Sequence, residues 1–80
     1  MRERSATLPR LEDGWLLVAC DASVLVPVWI KVGRDEFKPA YRDFHEGRRV
    51  AKIRSSGVSR KTTVTLRVGE TSSAAGSIGS

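Results

Sequence analysis

Hydrophobic and polar positions alternate most clearly in two stretches of the second half of the chain, 48–54 (RRVAKIR) and 61–68 (KTTVTLRV). Alternation with a period of two predicts strands that have one apolar face. The residues between them, 55–60 (SSGVSR), are rich in Ser and Gly, as is typical of a reversal. The region 48–67 is therefore predicted to be a β-hairpin. Its apolar face would carry Ala51, Ile53, Val64, Leu66 and Val68.

The first half of the chain contains two apolar runs, 15–20 (WLLVAC) and 23–32 (SVLVPVWIKV). The second run alternates β-branched residues, which is a strong strand signal: Val24, Val26, Val28, Ile30 and Val32. Asp21 to Ser23 has the composition of a tight turn, so two antiparallel strands are predicted. A membrane span is excluded because Asp21, Ser23, Pro27 and Lys31 interrupt the apolar run.

Two further segments lack a strand pattern. In 37–46 (FKPAYRDFHE), Ala40, Tyr41 and Phe44 fit one side of a helical turn that Pro39 would begin, and Gly47 suits a helix end. One short helix is therefore predicted near 38–46. After Val68 the chain is mostly Gly, Ser and Ala, so 69–80 is predicted to be a flexible, disordered tail.

Eighty residues suffice for one small domain. We predict a flexible N-terminal arm at 1–10 and a single domain at 11–68. The expected fold class is mainly β, with α+β as the alternative. The architecture would be a small antiparallel sheet or partly open barrel of about four strands with one short helix.

Charge is distributed unevenly along the chain. Residues 1–40 contain six basic and six acidic side chains, whereas residues 41–80 contain eight basic and three acidic ones, which accounts for the whole net charge of +5. No Asp or Glu lies between Arg48 and Arg67. A local excess of positive charge indicates a polyanionic partner. In the hairpin register that aligns the apolar faces, Arg48 opposes Arg67 and Arg54 opposes Lys61, a repulsion that a bound anion would relieve.

The sequence offers little for catalysis. The single His45 and the single Cys20 are 25 positions apart and make no metal-ligand set or nucleophile–base pair. Neither a GxGxxG nor a GxxxxGK[ST] motif occurs. We therefore expect no enzymatic activity, catalytic residue, metal or cofactor. The N-terminal residues do not form a signal peptide, so an intracellular, by default cytoplasmic, location is expected.

The sequence therefore predicts a small non-catalytic nucleic-acid-binding protein that contacts phosphates of DNA or RNA through the 48–67 hairpin. The predicted site residues are the seven cations of that region: Arg48, Arg49, Lys52, Arg54, Arg60, Lys61 and Arg67. The alternative is a protein-interaction module, such as a small inhibitor, regulator or assembly factor. It would bind an acidic protein surface or form a homodimer through the apolar strands 15–32.

Overall fold

The structure is a computed structural model that describes residues 8–55 and 62–78. These residues form eight β-strands and no helix, arranged as two four-stranded antiparallel sheets that do not close into a barrel. The strands are β1 (Arg10–Glu12), β2 (Trp15–Ala19), β3 (Val28–Val32), β4 (Lys38–Pro39), β5 (Tyr41–His45), β6 (Arg48–Arg54), β7 (Thr63–Val68) and β8 (Thr71–Ser77). The predicted mainly β, antiparallel fold class is confirmed.

The chain alternates between the two sheets, one pair of strands at a time. Sheet A has the order β1-β2-β6-β5, and sheet B has the order β4-β3-β7-β8. The first and third strand pairs belong to sheet A, whereas the second and fourth belong to sheet B. In each sheet the two central strands come from different halves of the chain, so both sheets require the whole domain.

Short turns with positive φ angles connect the paired strands. Asp13 and Gly14 have φ angles of 54° and 83°, and Glu46 and Gly47 have 53° and 81°. Two consecutive residues with positive φ make the type I′ turn, whose twist matches that of a two-stranded ribbon. These turns join β1 to β2 and β5 to β6, and they fix the register of both ladders.

The core lies between the two sheets and is contributed by alternate positions of their central strands. Its buried members include, from sheet A, Leu16, Val18, Ala51 and Ile53, and, from sheet B, Val28, Ile30, Val64 and Leu66. The apolar faces predicted for 48–54 and 61–68 are thus correct for the residues that the structure describes. They face each other across the core instead of lying side by side.

The two halves of the domain repeat each other. Val28-Trp29-Ile30-Lys31-Val32-Gly33 corresponds to Val64-Thr65-Leu66-Arg67-Val68-Gly69, 36 positions later. Gly33 and Gly69 have nearly equal φ angles of 60° and 61°, and their amides donate to the equivalent carbonyls of Thr63 and Pro27, at 2.8 and 2.9 Å. The central pair of the β3–β7 ladder, Ile30 opposite Leu66, joins two equivalent positions. A local two-fold axis therefore passes through sheet B at this pair.

Arg42 fastens the segment that crosses from sheet A to sheet B, residues 20–27. Its Nη2 donates to the carbonyls of Ala22 at 2.6 Å and Cys20 at 3.4 Å, and its Nη1 donates to those of Ser23 at 3.0 Å and Val26 at 3.5 Å. Backbone carbonyls in an irregular segment have no sheet partners, so they need another donor when they are removed from water. One guanidinium supplies it for four of them.

The predicted hairpin at 48–67 is wrong. β6 pairs with β2 and β5 in sheet A, and β7 pairs with β3 and β8 in sheet B. Arg48 opposes His45, and Arg67 opposes Trp29 on one side and Ser72 on the other. The postulated Arg48–Arg67 repulsion therefore does not exist. The predicted reversal, 55–60, and Lys61 lie almost entirely outside the described residues.

Two other local predictions also fail. No helix forms near 38–46, because Lys38–Pro39 and Tyr41–His45 are strands and the Gly47 taken as a helix end belongs to a type I′ turn. The strands predicted at 15–20 and within 23–32 lie in different sheets and do not pair. The segment before Val28 is a loop in which Leu25 is 88% exposed.

The chain termini are more structured than composition suggests. Thr71–Ser77, within the predicted tail 69–80, forms strand β8, and Ile78 is only 3% exposed and packs in the core. Small residues are compatible with an edge strand because β7 supplies the ladder, and one isoleucine is enough to anchor the end. Strand β1 begins at Arg10, the last residue of the predicted arm, whose first seven residues lie outside the described part.

We predict that Arg42→Ala lowers the free energy of unfolding by about 2–3 kcal/mol, because it leaves several carbonyls of the crossing segment without a charged donor. Arg42→Lys should recover only part of the loss, since an ammonium cannot reproduce the planar fork. Urea denaturation followed by tryptophan fluorescence measures both. Arg49→Ala is the matched control, because Arg49 makes one 3.4 Å contact to the Asp21 carbonyl. Equal stability of the Arg42→Ala and Arg49→Ala variants would contradict the assignment.

Ile78→Ala should destabilise the domain by about 2–5 kcal/mol, the usual cost of emptying a buried isoleucine site. Ser77→Ala, at an exposed position beside it, should change stability by less than about 0.5 kcal/mol. Thermal and urea unfolding of both variants test this difference. If the two variants are equally stable, residues 69–80 behave as the unpacked tail that their composition predicts.

Candidate nucleic-acid interface

The predicted site residues are divided between the two sheets. Arg48, Lys52 and Arg54 project from the face of sheet A that points away from the core, as the alternation along β6 requires. Arg49 is exposed and reaches the Asp21 carbonyl. Arg67 projects from the outer face of sheet B. Because the two sheets pack with their inner faces together, these groups do not form a single cationic surface. Arg60 and Lys61 lie outside the described residues.

On sheet A the cations gather around one tryptophan. Lys52 Nζ lies 4.6 Å and Arg54 Cζ lies 4.4 Å from the centroid of the Trp15 ring, and Tyr41 contacts the same ring edge-on at 5.7 Å. We name these four residues the Trp15 cluster. The register explains it, since Trp15 is directly opposite Arg54 and Tyr41 is directly opposite Lys52. Cations over an indole face are held by the ring quadrupole.

Carboxylates neutralise much of this surface. Lys52 Nζ lies 2.7 Å from Asp43 Oδ2, and Arg10 lies 4.0 Å from Glu12. The hydrogen bond from Lys52, followed by the amide of Phe44 and the Lys52 charge, lowers the pKa of Asp43. The sheet A face is therefore a surface of mixed charge, and Lys52 already has an anionic partner.

The outer face of sheet A is also partly covered, because its two edge strands, β1 and β5, approach each other across it. His45 Nδ1 in β5 lies 3.5 Å from Glu12 Oε1 in β1, although these strands are the two edges of the sheet. Only a strongly twisted sheet brings them together. Leu17 and Val50 are 6% and 0% exposed although both point away from the main core, beside a pocket of about 180 Å³. This closure leaves less room for an extended ligand.

The outer face of sheet B has a different character. Arg67 Cζ lies 4.8 Å from the centroid of Trp29 and 5.9 Å from that of Phe37, and Lys31 Nζ lies 5.7 Å from the centroid of Phe37. We name these four residues the Phe37 site. Trp29 and Arg67 are cross-strand partners, and Lys31 is the repeat equivalent of Arg67. The two cations are at most 11.6 Å apart, the sum of their distances to the shared ring.

Arg67 is fixed in orientation. Its Nε donates to the Gly69 carbonyl at 3.0 Å, and its guanidinium contacts the rings of both Trp29 and Phe37. Its terminal Nη atoms make no hydrogen bond, and neither Lys31 nor Arg67 makes an ion pair, within the described ranges 8–55 and 62–78. An oriented guanidinium with free terminal donors suits a phosphate oxygen.

Small hydroxyl residues surround the Phe37 site. By the register of β7 with β3 and β8, the outward positions of sheet B include Thr63, Thr65, Ser72, Ala74 and Ser77. None of the outward strand positions that the structure describes in this sheet carries a carboxylate. Hydroxyls are common donors to phosphate and sugar oxygens. This face combines positive charge, rings and hydroxyl groups without internal neutralisation.

Sequence reasoning assigned Arg67 to the site but missed Trp29, Lys31 and Phe37. The sequence indicates the position of two of them, because Trp29 and Lys31 alternate with Val28, Ile30 and Val32 and must therefore face away from the core. Phe37 follows a turn, and no periodicity indicates where its ring lies. The pairing of β3 with β7 brings these residues to Arg67.

Other kinds of site find no support in the described residues. They contain no group of three or more His, Cys, Asp or Glu side chains that could hold a metal ion. Cys20 is buried. A cleft of about 440 Å³ between the sheets is lined by Asp35 and Glu36 as well as Lys38 and Arg54, so its charge is mixed. No helix long and apolar enough to cross a bilayer occurs in this part of the chain.

No protein-family model, curated protein or solved structure matches this chain.

We predict that the pKa of Asp43 lies below its ordinary value and rises towards it in Lys52→Met, because the hydrogen bond from Lys52 contributes most to lowering it. A lowered folded-state pKa contributes stability that is present above the unfolded-state pKa of about 3.9 and is lost as pH falls through the folded-state value. Carboxyl NMR titration measures the pKa directly. An unchanged Asp43 titration in Lys52→Met would contradict the assigned cause. Arg48→Met is the control, since Arg48 makes no ion pair with Asp43.

Proposed function

We propose that this protein binds single-stranded nucleic acid, without catalysis, through the outer face of sheet B. The observation that carries the proposal is the Phe37 site, where Arg67 and Lys31 converge on one aromatic ring with no carboxylate partner among the described residues. Two like charges brought together without a counter-charge favour an anionic ligand. Of the seven cations predicted from the sequence, the proposed site retains Arg67.

The aromatic side chains favour nucleic acid over an acidic protein surface. Cationic grooves that follow single strands use aromatic rings on which successive bases stack, and arginine adds a cation–π contribution. Trp29 and Phe37 lie beside the two cations, and both are partly exposed. An acidic polypeptide would use the charges but not the rings. The small Ser, Thr and Ala side chains around the site leave an open surface that suits an extended strand better than a duplex groove.

The test is fluorescence anisotropy with labelled single-stranded DNA and RNA at several salt concentrations. Lys31→Glu with Arg67→Glu should abolish or strongly weaken binding near 50 mM salt. Removing two phosphate contacts by Lys31→Gln with Arg67→Gln should make the slope of log K against log salt shallower by about 1.4, at about 0.7 per phosphate. Phe37→Ala should weaken binding as well, since the ring holds both cations in place.

The matched control is Arg48→Glu with Arg49→Glu, which makes the same charge change at exposed positions of sheet A. Under the proposal this variant loses much less affinity than the Lys31/Arg67 pair. Equal losses would mean that net charge alone attracts the ligand, and absence of binding by the wild type near 50 mM salt would refute the proposal. Equal affinity for poly-glutamate would instead favour an acidic protein partner.

A further inference from the structure

Among the described residues, no strand lies beyond β8 (Thr71–Ser77), which therefore forms an edge of sheet B. The side chain of Pro9 packs close to Gly76 near the end of this strand, whereas Thr71–Ala74 are exposed. Its seven residues include no charged side chain and no proline. The other edge strands that the structure describes are guarded: β1 is three residues long and carries Arg10 and Glu12, β4 is two residues long and contains Pro39, and β5 carries Arg42 and Asp43. Proteins normally protect free edges with charges, proline or short length, because an open edge recruits another strand.

The first part of β8 is regular. The pairs Val68–Thr71, Arg67–Ser72, Leu66–Ser73 and Thr65–Ala74 follow one another without interruption, and the bulge comes only afterwards, at Ala75. All four of these β8 residues are exposed and small. A bulge twists an edge away from further pairing, so the stretch available to another strand is Thr71–Ala74. Nothing bulky in this stretch hinders its approach.

We propose that Thr71–Ala74 pairs in antiparallel fashion with the same segment of a second copy of this chain. An uncharged edge offers no complementary charge to an acidic or basic peptide, whereas self-pairing places no like charges opposite each other. The chain also already associates in this way internally, since equivalent strands of its two halves, β3 and β7, pair antiparallel about a local two-fold axis. An isologous contact of this kind closes at two copies.

The dimer would join two copies of sheet B into one sheet of eight strands. Antiparallel pairing within a sheet keeps both outer faces on the same side, so two Phe37 sites would lie on one surface. The two β7 strands would be separated by three strand spacings, about 14 Å. This consequence for ligand binding rests on the proposed function, whereas the self-pairing itself does not.

Charges introduced at Ser73 test the interface. A pairing that keeps core-facing residues opposite core-facing residues places Ser73 opposite or diagonal to its counterpart in the second copy. Sedimentation velocity without nucleic acid should show the mass of the wild type rise from 8.8 kDa towards twice that value with concentration. Ser73→Lys and Ser73→Glu should each raise the dissociation constant by up to about fivefold. An equimolar mixture of the two variants should dimerise more tightly than either alone.

If dimerisation is restored in the mixture of Ser73→Lys and Ser73→Glu, each variant is folded and the β8 edge itself is the interface. Arg34→Glu, at an exposed turn outside β8, is the control and should dimerise like the wild type. A monomer at every concentration, a dimer insensitive to Ser73, or a mixture no tighter than its components would overturn the proposal. Because no nucleic acid is present, none of these results decides whether the Phe37 site binds an anion, and loss of that binding would not remove the dimer.

Discussion

The structure depends on one constraint, that the chain must leave sheet A after β2 and enter sheet B at β3 through an irregular segment. Arg42 meets that constraint by donating to the carbonyls of four residues in the crossing: Cys20, Ala22, Ser23 and Val26. Arg42 itself is held in β5, opposite Ala51 of the core. This attachment holds the segment that leads into β3, while the ladder with β7 sets the position of Trp29 and Lys31. A structural arginine in one sheet thus supports the candidate binding face of the other.

Alternation in the sequence predicts which side chains face the core but not which strands are neighbours. Ala51 and Val64 were assigned to apolar faces and are fully buried. Their strands, however, lie in different sheets, because two apolar ribbons bury more surface by stacking face to face than by lying side by side with one face exposed. Among the described residues, Arg48, Lys52, Arg54 and Arg67 likewise occupy outer positions, as predicted. Whether these cations lie on the same face of the domain was not predictable, because that depends on which distant strands β6 and β7 pair with.

The two type I′ turns differ in how clearly the sequence indicates them. Asp13-Gly14 is a preferred pair for a two-residue type I′ turn, whereas Glu46-Gly47 shares only the glycine of that pattern. The weaker signal at Glu46-Gly47 explains why a helix near 38–46 is predicted where β4 and β5 form. Ile78 is different, because a single apolar residue after a Gly- and Ser-rich stretch carries no periodic signal. Its burial follows from the pairing of β8 with β7, which places it at the end of the core.

The pairing of strands from the two halves of the chain also governs the order in which the chain can fold. Each sheet takes two strands from the first half and two from the second, and a lone two-stranded ribbon is at best marginally stable in water. The central pairs join distant positions, such as Trp15 with Arg54. During synthesis on the ribosome, residues 10–39 therefore have no lasting partners until β6 and β7 have emerged. Folding is consequently expected to be late and cooperative, with both sheets completed together.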